Sequence, residues 1–548
     1  MEHAVLDRLF ERGSAGGVSL NLALYQQVRV EQVAGIEVEE FAARIAEVAL
    51  WLMDHQLNLA LSARFDQRYV RLPLTGGARI LNDNALRVNW ESEFPQLDYI
   101  VGNPPFVGKQ FQSAEQKADL LAVTAGMRAN ADLDFVTGWF IKAAEYISAG
   151  HPATHVGFVS TNSITQGEQI ALLWPTLLQK HDLHILFAHR TFKWNNEARG
   201  GAAVHCIIVG LGKDNPPTKL LADYVKQKGN PVHQIVTNIN PYLLPAPDVI
   251  IAKSRTPLVP VPAMSIGSMP NDGGNLILSE AERDELLLTE PGAAPFIRRF
   301  VGAVEFLNNK VRYCLWLKDA APSQLRSLPQ VLARVEAVRQ FRLGSTAAPT
   351  RKAAASPSLF FFISQAEAEY LLVPEVTSER REYIPIGYLP PDVISSNKNF
   401  VVPNSTPYLF GVLSSKMHVA WVRAVGGKLK SDYQYSPSMV YNTYPFPPAP
   451  TEAQRQAVTD AAEAVLAARA AFPGESLAAL YDPTTMPPAL ARAHAALDRA
   501  VDRCYRPQPF ATELARLEFL FGLYQQLSAP VLGAGKPAAT ARKKPQPQ

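Results

Sequence analysis

From about residue 30 to residue 212 the apolar positions follow two alternating spacings. QVAGIEV (32–38) is an apolar run of strand length. In FAARIAEVALWLMDHQLNLAL (41–61), Ile45, Val48, Ala49 and Leu52 recur at helical spacing. LDYIV (97–101) and HVGFVS (155–160) read as buried strands, with the helical stretch WFIKAAEYI (139–147) between them. LHILFAH (183–189) and AVHCIIVGL (203–211) supply two more strands. Strands separated by helices predict an α/β fold with a mostly parallel sheet covered on both faces.

After about residue 213 the texture changes. Prolines become frequent, and short aromatic-rich runs such as LFFFIS (359–364) and YLLVPEV (370–376) replace the earlier alternation. AAPTRKAAASPS (347–358) reads as an exposed loop within this mixed region. From Thr451 onward the sequence turns helical, with Thr451 as N-cap and Gln454 at the capping-box position. The tail GAGKPAATARKKPQPQ has the composition of a disordered, basic segment. The expected organisation is therefore 1–212, 213–447, 448–530 and a tail at 531–548.

Composition narrows the class without naming a function. The 548 residues are 47% hydrophobic and 19% charged, ordinary for a globular protein with a large core. Cys206, Cys314 and Cys504 are far apart and form no metal-spaced set, which fits a reducing, cytoplasmic setting. No apolar run reaches the length of a membrane span, and the start MEHAVLDRLFERGSAGG does not read as a leader. The net charge of +3 is too small to point to a polyanionic partner by itself. Two basic clusters stand out, Arg298, Arg299, Lys310 and Arg312, and then Arg334, Arg339, Arg342, Arg351 and Lys352. They are read either as phosphate contacts or as solvated helix faces.

The chemistry concentrates where an apolar strand stops. Asn103-Pro104-Pro105-Phe106 follows LDYIVG, and neither proline can continue a sheet ladder. A stiff loop at a strand's carboxyl end is where ligands collect in α/β sheets. There the Asn103 amide oxygen and the Pro104 carbonyl could each accept a hydrogen bond from an exocyclic amino group, with Phe106 stacking on its ring. The alternative is a proline turn whose Phe packs into the core. Glu37 ends an early strand, the usual place for an acid that binds a ribose diol, or it is a solvated acid with Glu39 and Glu40. Asp83, in ILNDNAL, follows the next strand and suits an adenine amino group or a plain turn.

Read in order, GIEVEEFAARIAEVALWLMDHQ, LNDNAL, DYIVGNPPFVGK, VGFVSTNSITQGEQ and FKWNNEARGGAAVHCIIVG resemble motifs II, III, IV, V–VI and VIII of gamma-class amino-methyltransferases. The resemblance is to MmeI-like DNA adenine methyltransferases. It continues through FIRRFVGAVEFLNNKVRYCLWL (296–317) and LFGVLSSKMHVAWVRAVGGKLKSDYQYSPSMVYNTYPFP (409–447), which are similar to that family's target-recognition domain. It implies a class I, Rossmann-like methyltransferase sheet, incomplete at the amino terminus. A mixed α+β target-recognition domain and a helical C-terminal region would follow.

The resemblance also implies roles. Asn103 and the Pro104 carbonyl would hold the adenine N6 amine, and Phe106 would stack on the flipped base, with Pro105 completing the motif. Glu37 and Asp83 would bind the ribose and adenine of S-adenosylmethionine. Phe192 would cover the base's other face, with Trp194 as the substitute or either one as a core aromatic. The partner would be double-stranded DNA. Attack on cytosine C5 would need a Pro-Cys nucleophile, and none of the three cysteines follows a proline.

The departure from the family lies at the start. Only GSAGG (13–17) approaches the glycine-rich motif I, and it follows no apolar strand, so it reads as a loop. The expectation is an amino-terminally truncated or split enzyme of a restriction-modification system, with a nuclease or the missing segment supplied in trans. The competing readings are a DNA-binding remnant without activity, and methylation of a protein glutamine or an RNA base.

Overall fold

The computed structural model describes residues 29–65, 77–194, 204–224, 229–429 and 431–533. The chain divides into two compact units. One comprises the residues up to Ser160 with Thr176–Phe187 and Ile207–Pro216, and the other comprises Thr161–Pro175, Ala188–Cys206 and the residues from Pro217 onward. GSAGG (13–17) lies outside the described residues.

The predicted alternation is realised as parallel pairs. β1 (Ala34–Glu37) pairs in parallel with β2 (Arg79–Asn82), Glu37 opposite Asn82, and α1 (Glu40–Phe65) lies between them in the chain. β3 (Tyr99–Gly102) pairs in parallel with β4 (His155–Thr161), and α2 (Ala114–Val123) and α3 (Thr137–Ser148) separate them. With β5 (His184–Trp194), β6 (Val204–Gly212), β7 (Lys219–Asp223) and β8 (Val232–Val236), β3 and β4 form a six-stranded sheet in the order β3-β4-β6-β5-β7-β8. β7 and β8 are antiparallel. The fold is mixed α/β.

α3 supplies the core of the first unit, because its apolar residues recur at helical spacing and bury Phe140, Ile141, Ala144 and Ile147. Phe140 meets Phe158 of β4 edge-on at 5.2 Å. Burying a side chain of this size contributes about 1.5–3 kcal/mol. Gly210 has no room for a side chain, since a Cβ there would lie 2.1 Å from the Phe187 ring.

One strand expectation is corrected. LDYIV forms a strand, but not a buried one: β3 is a sheet edge, and Tyr99 and Val101 are 70% and 81% exposed. The α1 stripe is helical as predicted, yet Ile45 and Leu52 are 52% and 56% exposed. The strands beneath α1 number two, and no described element covers the rest of its apolar surface.

In the second unit, α4 (Gly167–Trp174) is followed in the chain by three small sheets. α5 (Pro329–Leu343) turns Val331, Val335 and Val338 into a core with Leu278, Phe300, Cys314 and Leu315. The segment expected as an exposed loop at 347–358 contains a short helix, Ala348–Ala353, with Thr350 and Ala354 buried. The reason is Arg342, 1% exposed, whose guanidinium donates to the carbonyls of Ala353, Ser356 and Leu359 as well as Asn271 and Pro270. The chain has to curl around it to present those oxygens.

In the second basic cluster Arg342 is spent on carbonyls of its own unit, and Lys352 is exposed. Besides Arg342, Arg334 pairs with Glu282, Arg339 with Glu336, and Arg351 donates to Ser345 and Thr346 carbonyls. In the first cluster Arg312 pairs with Glu305 and lies over Phe300, while Arg298 and Arg299 are exposed.

The C-terminal helices are α6 (Lys416–Val425), α7 (Glu452–Ala470), α8 (Pro488–Tyr505) and α9 (Glu513–Gly533). The predicted capping box is present. Thr451 Oγ1 accepts from the Gln454 N–H at 3.3 Å, and Gln454 Oε1 accepts from the Thr451 N–H at 2.8 Å. Of the described helices none is long and apolar enough to cross a membrane. The three cysteines are free and buried.

Two histidines are sealed among these elements. His418 bonds the Tyr435 hydroxyl at 2.9 Å, and burial holds its pKa down to about 3. His494 bonds the Tyr481 hydroxyl at 2.8 Å and stacks on Tyr383 at 4.0 Å. Burial, aided by Arg469 and Lys416, holds it at about 3 as well. Burial pushes Asp498, bonded by the Tyr383 hydroxyl, up to about 6.

These shifts fix the sign of a pH dependence. An unfolded histidine takes up its proton near its ordinary pKa while the folded one does not, so stability is lost as pH falls below that value. Asp498 acts in the opposite sense between its folded and unfolded values and offsets part of the loss. The net expectation is that the second unit is about 3 kcal/mol less stable at about pH 5 than at about pH 7.5. Denaturant melts at the two pH values measure it, and coincident curves would refute it.

Candidate active site

The carboxyl ends of β1 and β2 are joined side by side. The Asp83 N–H donates to the Glu37 carbonyl at 3.1 Å, and the Asn82 amide donates to the carbonyls of Glu37 and Val38. Parallel register puts Glu37 opposite Asn82, so the two acids project from neighbouring strand ends. Glu37 Oε1 accepts from the Glu39 N–H at 3.0 Å, and Asp83 Oδ1 accepts from the Asn84 N–H at 2.6 Å. The second oxygen of each carboxylate has no protein partner among the described residues. Two such acceptors on adjacent strands suit a diol and an amino group.

The Asp83 loop is braced by residues that sequence reasoning did not single out. Asn84 and Arg87 both bond Asp119 of α2, at 2.9 and 2.7 Å, and Lys142 of α3 donates to the Val88 carbonyl. Leu86 packs where Gly138 leaves space, since a Cβ on that glycine would lie 2.9 Å away. The sequence signal was available only as a glycine opening a helix.

β3 ends at Gly102, whose missing side chain lets the strand lie against the Phe158 ring. Asn103 and Pro105 are exposed, Pro104 is buried and Phe106 is half-buried, so the tetrad alternates outward and inward. Neither the Asn103 amide nor the Pro104 carbonyl has a hydrogen-bond partner among the described residues. The loop itself is held firmly. The Phe135 N–H donates to the Val107 carbonyl at 3.0 Å, the Lys109 N–H to Asp134 Oδ1 at 3.1 Å, and buried Gln112 to the Leu133 carbonyl at 2.9 Å. A fixed loop with two unused acceptors can orient an exocyclic amine without rearranging.

In the second unit Phe192 is half-buried on β5, tilted against Tyr224 at 4.9 Å and beside Trp194 at 6.0 Å. Trp194 is exposed. Among the described residues no group of three or more His, Cys, Asp or Glu is placed to hold a metal ion.

The family comparisons cover almost the whole chain. The model described as the MmeI DNA-methyltransferase domain matches residues 1–223, the MmeI target recognition domain 245–448 and the MmeI C-terminal domain 450–532. DNA methyltransferase A of Bacillus subtilis (strain 168) is 38% identical over 509 residues, 91% of this chain and 56% of that protein. The chain thus spans little more than half the length of that relative. The Type IIL restriction-modification enzyme MmeI, solved in complex with DNA, is 48% identical with a TM-score of 0.84, covering 94% of this chain and 69% of that one. By sequence and by fold, this chain belongs to the MmeI family of DNA methyltransferases.

Proposed function

We propose that this chain carries the methyl-transfer and site-reading parts of a DNA adenine-N6 methyltransferase. The observation that carries the reading is the pair of unused acceptors, Asn103 Oδ1 and the Pro104 carbonyl, on a fixed loop at a strand's carboxyl end beside half-buried Phe106. Both acceptors engaged on the N6 hydrogens would direct the nitrogen lone pair out of the base plane, as attack on a methyl carbon requires. The tetrad contains no base, and none is needed before the nitrogen has bonded. Phe106 stacks on the extruded ring, and Phe192 is the aromatic proposed for its other face.

S-adenosylmethionine, when bound, supplies an electrophilic methyl group on a sulfonium. Its ribose and adenine suit Glu37 and Asp83, each of which keeps a free carboxylate oxygen at the end of adjoining strands. Residues 1–212 are assigned to transfer, 213–447 to reading double-stranded DNA, and 448–530 to a helical support. A nuclease or further segment acting in trans belongs to the same proposal.

The test is to incubate the purified chain with duplex DNA and methyl-labelled S-adenosylmethionine and digest the DNA to nucleosides. Label in N6-methyladenine is expected. Duplex binding with no labelled nucleoside would favour a non-catalytic DNA-binding remnant, and label in protein or RNA alone would overturn the DNA reading.

A further inference from the structure

The second unit contains a cavity of about 390 Å³ whose lining includes Arg190, Asp223, Tyr224, Arg423, Lys428 and Tyr433. Its charges are unevenly satisfied. Arg190 pairs with Asp223 at 2.7 Å and Arg423 with Glu513 at 2.6 Å. Lys428 has no hydrogen bond or ion pair within reach among the described residues. It sits opposite Tyr433 in the hairpin formed by Gly427–Leu429 and Asp432–Gln434, with its ammonium 5.4 Å from the ring centroid. The Arg423 guanidinium lies 5.9 Å from the same ring. Burial lowers the Lys428 pKa, Glu379 opposes the lowering, and Arg190 adds to it.

A half-buried ammonium beside another cation, with Asp223 and Glu513 paired to arginines and only Glu379 acting on it without an ion pair, favours an anion joining it. The position of the cavity says which anion. Arg190 and Phe192 alternate along β5 and so share a face of the strand. Tyr224, which lines the cavity, is the ring on which Phe192 rests at 4.9 Å. A nucleotide whose base stacks at Phe192 carries its own phosphate a few bonds away.

We propose that Lys428, with Arg190 and Arg423, forms the seat of a DNA backbone phosphodiester next to the extruded base. The proposal rests on the DNA methyltransferase reading above and adds a binding site to it. Gly167, at φ +51° where α4 starts, lies beside the Gly427 backbone, so the hairpin bearing Lys428 is next to α4.

The experiment measures fluorescence anisotropy of a labelled mixed-sequence duplex at several salt concentrations, without cofactor, for the wild type, Lys428→Gln and Lys428→Arg. Removing one phosphate contact should weaken binding roughly three- to tenfold and lower the salt slope by about one. Lys428→Arg should restore both. Thermal melts separate this from a structural role, because removing an unpaired half-buried charge should not lower the melting temperature. Unchanged affinity and slope in Lys428→Gln overturn the phosphate seat while leaving the methyltransferase reading in place. A loss that comes with a lowered melting temperature and an unchanged slope does the same. A wild-type chain that binds no duplex at all overturns both.

Discussion

Asn103→Ala is expected to lower methyl transfer to DNA by at least about a thousandfold while duplex affinity stays within a few-fold of wild type. The size follows from what the side chain is asked to do. Removing one preorganised hydrogen-bonding group from a reacting centre costs about two to three orders of magnitude, and here the same group also orients the nucleophile. The specificity of the effect follows from the structure. Asn103 is exposed and its amide has no partner among the described residues, so truncation breaks no internal bond. Stability should therefore change by no more than about 0.5 kcal/mol. Initial rates with labelled S-adenosylmethionine, anisotropy and a thermal melt measure the three quantities together. Methylation retained near the wild-type rate would remove the tetrad from the chemistry. A rate lost together with affinity or melting temperature would mean that Asn103 is structural.

The contrast between Asn103 and its surroundings shows what sequence carries and what it does not. The strand, its two prolines and the loop beyond are local features, and each was legible from residue types alone. The capping box at Thr451 was legible for the same reason. The pairing of Glu37 with Asn82 was not, because register between strands separated by a helix depends on contacts distant in the chain. Periodicity showed that α1 has an apolar stripe, but not what lies against it. Ile45 and Leu52 have the right spacing and are still mostly exposed. Tyr99 and Val101 repeat the point on a strand, where an apolar run fits a sheet edge as well as a sheet centre.

Charge is the property that sequence reports least well, since a basic run counts cations and says nothing of their partners. Arg342 belonged to a cluster read either as phosphate contacts or as a solvated helix face, while Lys428 drew attention only as part of a recognition-domain motif. In the structure their roles exchange. Arg342 is spent on carbonyls of its own unit, and Lys428 has no ion pair among the described residues.

That exchange yields the largest stability effect expected in the molecule. Arg342→Met should destabilise the second unit by about 3–5 kcal/mol, because it strands buried carbonyls that the guanidinium now satisfies. Arg342→Lys should recover little, since one compact ammonium cannot satisfy the five carbonyls that the guanidinium reaches from three nitrogens. Denaturant unfolding of the wild type and both variants measures this directly. The competing role makes the opposite forecast. An arginine kept for DNA would leave the unfolding midpoint unmoved on substitution and lower the salt slope of duplex binding by about one. An unmoved midpoint in Arg342→Met would therefore return the residue to the DNA-binding face. A large downward shift in both variants would fix it as the post around which residues 347–359 are folded.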